Sequence, residues 1–204
     1  IIETSSHGLD QKRLHYINFK GAIFTNFSQD HLDYHKNMKS YLNAKLLLFK
    51  EILKKNSLII SDREIKQYSL IEKISSKKQL RLTHISNEFK KIKNNYEKFI
   101  HDFQIKNLAM SIKAANLCGL KDKLIFKSIK KIKDVDGRLQ LVKSYANGIK
   151  VFIDYAHTPD ALLKTLSALK SKFKNNISLI FGCGGERDKK KRPLMAKIAD
   201  NYSK

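Results

Sequence analysis

A short segment of the chain concentrates side chains that can bind a cation. Residues 25–35 hold two aspartates and two histidines between a predicted strand and a predicted helix. The carboxyl end of a strand is where α/β proteins form their ligand sites. His31, Asp33 and His35 could bind zinc, but no His-Glu-x-x-His helix and no cysteine partner accompanies them. A site for a hard cation, held by carboxylates and phosphate oxygens, is favoured.

Lys45 lies in the middle of an apolar helical stripe. It falls in a predicted helix over 37–55, four residues after Tyr41 and four before Phe49. A helix that buries those two rings also buries the start of the lysine side chain. Burying an ammonium is costly unless it is paired or neutral. Lys45 therefore either extends its amine to solvent along the stripe or is a functional lysine that readily loses its proton.

A second loop has the composition of a ligand-binding turn. Residues 182–188 contain three glycines between a predicted strand and the helix that Pro193 opens. Glycine lets the backbone approach a ligand closely, and the start of a helix favours anions. The loop does not read Gly-x-Gly-x-x-Gly, so a plain tight turn stays an alternative. A phosphate loop of the form Gly-x-x-x-x-Gly-Lys-Ser/Thr is absent from the whole sequence.

Short β-branched or apolar runs alternate with segments of helical period, which predicts an α/β fold with a largely parallel sheet. The predicted strands are 22–26, 57–61, 79–85, 149–154 and 177–181. The predicted helices are 37–55, 105–118, 121–132, 159–173 and 193–202, while 87–102 is ambiguous. Thr158 is a predicted N-cap, Gly119 a predicted helix end, and Ala146-Asn147-Gly148 a predicted turn within a strand pair.

Composition limits the classes of protein that the chain can be. It has 204 residues and carries 41 Lys+Arg against 19 Asp+Glu, a net charge of 41 − 19 = +22. That length suits one ordinary domain or two small ones. Its apolar runs fall far short of the roughly 18 to 20 residues that a bilayer span needs. Cys118 and Cys183 form no Cys-x-x-Cys pair, which favours a reducing, cytoplasmic setting.

The positive charge raises the hypothesis of a polyanion-binding face. Only six of the 41 basic residues are arginines, although base readout favours arginine. The lysines are spread over almost every segment without interleaved aromatic residues. A solvated lysine surface is therefore favoured, and we expect no specific nucleic-acid partner.

Several motifs, taken in order, resemble those of the Mur ligase family over nearly the whole chain. They are Glu-Thr-Ser-Ser-His-Gly-Leu at 3–9 with Gln11 and Arg13, the segment 25–35 with Lys45, Gly137-Arg138, Asp-Tyr-Ala-His-Thr-Pro-Asp-Ala-Leu at 154–162, Phe-Gly-Cys-Gly-Gly at 181–185, and Arg-Asp-Lys at 187–189. The resemblance implies a central ATPase-type domain over 1–136 and the start of a Rossmann-like C-terminal domain over 137–204. Because Ile1 does not begin a signal peptide, we expect an excerpt, with the uridine-binding domain and phosphate loop before it and a specificity motif after Lys204.

The resemblance also implies a role for particular residues. The implied catalytic and metal-binding set is Glu3 as a magnesium ligand, His31 as a second-metal ligand and Lys45 as a carbamylated lysine. The implied substrate-binding positions are Ser5, Gln11 and Arg13 for the UDP-muramoyl dipeptide and Arg187 for the carboxylate of the incoming amino acid. The implied positions around the adenine and ribose of ATP are Asn107, Arg138, Asp154 and His157.

The implied activity is ATP-dependent amide ligation in peptidoglycan synthesis, with two Mg²⁺ ions. A diamino acid, meso-diaminopimelate or lysine, would join UDP-MurNAc-L-Ala-D-Glu through an acyl phosphate. We expect a cytoplasmic monomer and an excerpt that is inactive alone. Two other classes stay open. One is the polyanion-binding module, and the other is a zinc-dependent hydrolase that uses His31, Asp33, His35 and His157.

Overall fold

The chain folds into two units, each with its own apolar core. The computed structural model describes residues 1–95, 101–173, 176–185 and 188–203. The first unit comprises Ile1–Phe27 and Tyr34–Lys127, and the second comprises Ser28–Asp33 and Ser128–Lys204. Within these described ranges, every helix is too short or too polar to cross a bilayer.

The first unit is built on a parallel sheet of three strands, β1 (Gly21–Phe24), β2 (Leu58–Ser61) and β3 (Arg81–His84), in that order. The helices up to residue 129 are α1 (Ser6–Asp10), α2 (Leu32–His35), α3 (Met38–Leu47), α4 (Tyr68–Lys78), α5 (Ser86–Asn95), α6 (Asp102–Leu117) and α7 (Asp122–Ile129). The core lies between sheet and helices and is centred on Leu46, Phe49, Ile59 and Ile71. A parallel sheet packed against helices confirms the predicted α/β class.

Gly21 is required where β1 meets β2. The two strands pair in parallel with Gly21 opposite Leu58. A Cβ at Gly21 would lie 2.6 Å from the carbonyl oxygen of Leu58 and 2.8 Å from Cδ2 of Leu117. Only a residue without a side chain lets the strand approach both its neighbour and α6 so closely.

The helix that carries Lys45 begins where the sequence predicts and ends earlier. Asn37 is its N-cap, since its Oδ1 accepts a hydrogen bond of 2.9 Å from the backbone N–H of Ser40. After α3 the backbone continues as a π-helical turn, Leu48–Ile52, and Leu53 is extended. Because the helix ends here, Ile52 and Leu53 are both buried. A regular helix that continued to residue 55 would turn these two side chains to different faces.

The second unit contains an antiparallel strand pair, β4 (Gln140–Ser144) and β5 (Lys150–Ile153), and two helices, α8 (Pro159–Phe173) and α9 (Lys191–Tyr202). The predicted turn is confirmed, with Gly148 at a positive φ of 86°. Helix α8 has the predicted bounds, and Thr158 caps it by accepting a 3.3 Å hydrogen bond from the N–H of Ala161. Leu162, Leu166 and Met195 form the core of this unit.

Several predicted elements differ from the structure. The predicted strand over 177–181 is wrong, because among the described residues β4 and β5 pair only with each other and leave that segment without a ladder. Its alternation survives, since Ile177 and Leu179 pack on the core while Ile180 is fully exposed. Helix α9 begins two residues before Pro193, still within the first turn, where no backbone N–H is needed.

The remaining differences concern helix bounds. Helix α6 begins three residues before the prediction, and α7 ends at Ile129 instead of residue 132. The prediction contained no counterpart of α1, α2 or α4. Helix α5 covers the first part of the ambiguous stretch 87–102, of which residues 96–100 lie outside the described residues.

Replacing Gly21 by alanine tests the close approach of β1. We expect Gly21→Ala to lower the free energy of unfolding by about 1–3 kcal/mol, because the new methyl group overlaps backbone that cannot move aside. Gly182→Ala is the matched control, since no atom lies within 4 Å of its added Cβ. Urea unfolding followed by circular dichroism measures both variants, and equal midpoints would contradict the steric argument.

Candidate active site

Polar side chains lie on and around helix α1, near the start of the chain. Ser5 is the N-cap of α1, and its Oγ accepts a 3.0 Å hydrogen bond from the N–H of Gly8. At the other end of this helix, Gln11 donates from Nε2 to the Tyr34 hydroxyl at 3.3 Å. That hydroxyl donates in turn to Oδ2 of Asp10 at 2.8 Å. Glu3 and Arg13 are exposed on either side of this ordered helix.

The amine of Lys45 rests against an aromatic ring. Its Nζ lies 5.3 Å from the centroid of the buried ring of Tyr41, one helical turn earlier. The Lys45 residue itself is half-buried. Attraction between a cation and the face of a ring offsets part of the cost of removing the ammonium from water. The apolar helical stripe in which Lys45 lies therefore holds the amine of Lys45 beside the core.

The second unit organises its loop around Asp154, which directly follows β5. Its carboxylate accepts hydrogen bonds from the N–H of Leu139 at 2.7 Å, the N–H of Ala156 at 2.9 Å and the hydroxyl of Thr165 at 3.0 Å. Because Leu139 is tied down, the neighbouring Arg138 is placed as well. These three bonds join the residue before β4, the loop after β5 and α8.

An exposed arginine lies on an exposed tyrosine in the same unit. The guanidinium carbon of Arg138 is 4.7 Å from the ring centroid of Tyr155. His157 packs edge-on against that ring, with centroids 5.0 Å apart. A guanidinium stacked on an aromatic ring keeps its planar face and its edge donors in a defined orientation.

Asp30, one of the two aspartates of residues 25–35, is a charged centre to which the sequence analysis assigned no individual role. Its Oδ2 lies 3.4 Å from Nε2 of His157 and 3.5 Å from Nε2 of His31, and its Oδ1 accepts from the N–H of His31 at 2.9 Å. Oδ1 is also 3.8 Å from Nζ of Lys191, whose side chain is 5% exposed. His157 is oriented by the contact of 3.0 Å between its Nδ1 and the carbonyl oxygen of Tyr155.

A sequence signal for Lys191 existed. It precedes the buried Met195 by four residues and the buried Ala199 by eight, which is the pattern that drew attention to Lys45. Its ammonium, held near Asp30, fixes the start of α9 to residues 28–33. Gln29 strengthens the same connection by donating to Oδ2 of the buried Asp188 at 3.0 Å.

The predicted site residues divide between the two units. The first unit holds Glu3, Ser5, Gln11, Arg13, Lys45 and Asn107, and the second holds His31, Arg138, Asp154 and His157. Arg187 lies outside the described residues. Across the described part of the chain, no three His, Cys, Asp or Glu side chains gather as a metal site. His31, Asp33, His35 and His157 are accordingly not brought together as zinc ligands, since the buried His35 faces Ser6 and Tyr41.

Asn107 is carried by a helix that an ion triad anchors. The adjacent Lys106 lies 2.7 Å from Oδ2 of Asp62 and 2.5 Å from Oε2 of Glu64. Partial burial lowers the pKa of Lys106, but hydrogen bonds and charge attraction from the two carboxylates outweigh it and raise that pKa above its ordinary 10.5. The triad ties α6 to the residue that follows β2 and leaves Asn107 exposed.

Sequence models of two domain families match the chain. Residues 1–121 match the Mur ligase middle domain, and residues 137–204 match the Mur ligase glutamate ligase domain. The chain belongs to the Mur ligase family, which confirms the resemblance drawn from its motifs.

Curated relatives align with the chain from end to end. The UDP-N-acetylmuramoyl-L-alanyl-D-glutamate--2,6-diaminopimelate ligase of Wigglesworthia glossinidia brevipalpis is 40% identical over 231 residues, covering 100% of this chain and 46% of the relative. The ligase of the same name from Haemophilus influenzae (strain PittGG) is 36% identical over 225 residues, covering 99% and 46%. The chain therefore spans about half the length of the curated relatives it matches.

Solved structures share the fold. A structure of a UDP-N-acetylmuramoyl-L-alanyl-D-glutamate--2,6-diaminopimelate ligase superposes with a TM-score of 0.63 at 27% identity, over 98% of this chain and 46% of its own. A complex described as FPGS-AMPPCP-folate superposes with a TM-score of 0.72 at 16% identity, over 93% and 50%. The second likeness concerns the fold alone.

Removing the Lys106 ammonium tests the triad. We expect Lys106→Met to lower the free energy of unfolding by about 2–4 kcal/mol near neutral pH, because it strands the buried carboxylate of Asp62. Glu64→Gln should cost less than about 1 kcal/mol, since the Glu64 side chain is 75% exposed. Asp62→Asn combined with Lys106→Met should recover most of the loss.

The pH dependence of the same variants has a definite sign. A raised pKa means that the stabilisation by Lys106 is fully present below 10.5 and is lost as the pH rises through the folded-state value. The stability difference between the wild type and Lys106→Met should therefore shrink as urea unfolding is measured from pH 8 upward past pH 11. A difference that stays constant over this range would contradict the ion-pair explanation.

Proposed function

We propose that the protein to which this chain belongs is an ATP-dependent ligase that joins meso-diaminopimelate to UDP-MurNAc-L-Ala-D-Glu. The observation that carries this proposal is the alignment of the whole chain with ligases named for that reaction. Motif residues of both units support it, because the chemistry of their side chains suits the parts of the substrates to which they are assigned. We place the domain boundary between Asp136 and Gly137, where the second family match begins.

The proposed reaction has two steps. An oxygen of the free side-chain carboxylate of D-glutamate attacks the γ-phosphorus of ATP, which forms an acyl phosphate and releases ADP. The amine of the diamino acid then attacks the acyl carbon and loses a proton. A C–N bond forms, the C–O bond breaks, and inorganic phosphate leaves with the electron pair. Holding the amine against the acyl phosphate while excluding water is the main demand on the protein.

Glu3, His31 and Lys45 are the proposed holders of two Mg²⁺ ions, which would offset the negative charge on the phosphoryl oxygens. Glu3 supplies an exposed carboxylate, a donor that magnesium prefers. Lys45 becomes a comparable donor when its neutral amine adds carbon dioxide and releases a proton, since a cation is then replaced by a carbamate anion. Lys45 is half-buried and its amine lies on the ring of Tyr41, which suits such a ligand.

The remaining residues are proposed to hold the organic substrates. Ser5, Gln11 and Arg13 border the ordered helix α1 and offer a hydroxyl, an amide and a guanidinium to the UDP-muramoyl dipeptide. Arg187 is proposed to receive the carboxylate of the incoming amino acid.

ATP is assigned to one residue of α6 and to three residues in the loops before β4 and after β5. Arg138, stacked on Tyr155, and the exposed Asn107 are proposed to contact the adenine, while Asp154 and His157 are proposed to contact the ribose. Asp154 already accepts three hydrogen bonds, so its orientation toward a sugar hydroxyl would be fixed before ATP arrives.

We further propose a cytoplasmic, monomeric enzyme. The exposed Cys118 and the half-exposed Cys183 are both thiols, which suits a reducing compartment. A monomer is proposed because the residues assigned to all three substrates are present on one chain.

Phosphate release tests the proposed reaction. The intact parent protein is supplied with ATP, Mg²⁺ and UDP-MurNAc-L-Ala-D-Glu, with meso-diaminopimelate, with lysine or with neither. Release that requires meso-diaminopimelate is expected. Phosphate release that requires lysine would keep the proposal of amide ligation but make lysine the amino acid that is added. No phosphate release with either amino acid would overturn the ligase proposal.

The role of Lys45 has its own test. We expect Lys45→Ala in the parent protein to lower the rate of ligation by at least about a hundredfold, because the proposed carbamate ligand is removed. Lys39→Ala, at an exposed position of the same helix, is the matched control and should retain the wild-type rate. Wild-type rates in Lys45→Ala would contradict the carbamate.

A further inference from the structure

His35 links the segment that carries Glu3 and Ser5 to the core. It is the last residue of α2, and its Nε2 lies 2.9 Å from Oγ of Ser6. The two residues are 7% and 1% exposed, so water does not replace this hydrogen bond. Ser6 directly follows Ser5 and is the first residue of α1. The imidazole therefore fixes the start of that helix from inside the unit.

The ring of His35 also contacts the residue on which Lys45 rests. Its centroid is 5.4 Å from that of Tyr41, with an angle of 27° between the planes. Phe27 also packs against Tyr41, with ring centroids 4.9 Å apart. The amine of Lys45 lies 5.3 Å from the same tyrosine ring. One imidazole thus touches both the segment of Glu3 and the ring that supports Lys45.

Lysine has a long side chain with four rotatable bonds, so its amine occupies one place only if a neighbour defines it. Tyr41 is one such neighbour, and the position of its ring depends on what packs against it. A change at His35 would therefore let the Tyr41 ring move and, with it, the amine that rests on that ring. It would also release Ser6, and with it the residues that precede α1.

We propose that His35 is a positioning residue that holds Tyr41 and Ser6 so that the amine of Lys45 is placed for carbamate formation. This inference rests on the proposed function. His35 does not touch substrate in this role. Its contribution is an arrangement of the Lys45 side chain that favours addition of carbon dioxide.

Two substitutions separate the two contacts of His35. His35→Phe keeps a ring against Tyr41 and removes the partner of Ser6, whereas His35→Gln keeps a hydrogen-bonding group and removes the ring. Ser6→Ala removes the other partner of the same hydrogen bond, so it still tests the inference if a His35 variant does not fold. His15→Gln, the same substitution at a less buried histidine of the first unit, is the matched control.

Two readouts are measured on the intact parent protein. The first is the carbamate signal of Lys45 in ¹³C NMR spectra recorded with ¹³C-bicarbonate. The second is the dependence of ligation rate on bicarbonate concentration, with thermal unfolding recorded for each variant. We expect the bicarbonate concentration for half-maximal rate to rise about tenfold in both His35 variants. The rate at saturating bicarbonate and the KM for ATP should recover to near wild-type values.

A purely structural role predicts a different result. Variants that melt at lower temperature but keep the wild-type bicarbonate dependence and carbamate signal would overturn the positioning role and leave the ligase proposal intact. A wild-type protein that shows neither ligation nor a carbamate signal would overturn both. His15→Gln should match the wild type in both readouts.

Discussion

A buried side-chain hydrogen bond reinforces the pairing of β1 and β2 at their carboxyl ends, and the parallel sheet of the first unit depends on that pairing. The hydroxyl of Ser61, the last residue of β2, donates to the carbonyl oxygen of Phe24, the last residue of β1, at 3.0 Å. Gly21 allows the close approach of the same two strands at their other end, where it pairs with Leu58. Thr25 and Asp62 consequently leave the sheet at the same edge, which is where parallel sheets present their chemistry.

Carboxylates near the ends of strands recur as anchors for helices in both units. Asp62 follows β2 and receives Lys106 of α6, and Asp154 follows β5 and receives Thr165 of α8. Asp30 receives the buried ammonium of Lys191 at the start of α9. A partly buried carboxylate is stable only with such partners, so each one fixes the helix that supplies them. Proposed substrate contacts at Asn107, Arg138 and His157 lie next to these anchors.

Local signals in the sequence were sufficient for elements whose determinants lie within a few residues. Thr158 caps α8, Asn37 caps α3 and Gly148 turns the strand pair, and each does so through its own backbone or side chain. Helix α4 was missed because its buried apolar positions, Ile71 and Ile74, are surrounded by serine and lysine. The segment 177–181 has strand periodicity, but pairing is a property of neighbours and not of the segment.

The same limit applies to the candidate site. Lys45 could be singled out because a misplaced charge on an apolar stripe is visible in the sequence. The contacts of His35 with Ser6 and Tyr41 could not be foreseen, since Ser6 lies 29 residues away. Asp30 and Lys191 are even farther apart in the sequence. Of the two, only Lys191 shows a sequence signal, because it is a charged residue in helical register with buried apolar residues. The order of the motifs was enough to identify the family. The side-chain contacts that support the motif residues could be seen only in the folded structure.

The second unit is discontinuous along the chain, since residues 28–33 belong with 128–204. Its assembly must close a loop of about a hundred residues, and closure of that length carries an entropic cost that local elements do not. During synthesis, Asp30 leaves the ribosome long before Lys191 exists, so the first unit can complete its sheet while residues 28–33 wait for their partners. A piece cut at residue 128 would contain Lys191 without the carboxylate that neutralises it.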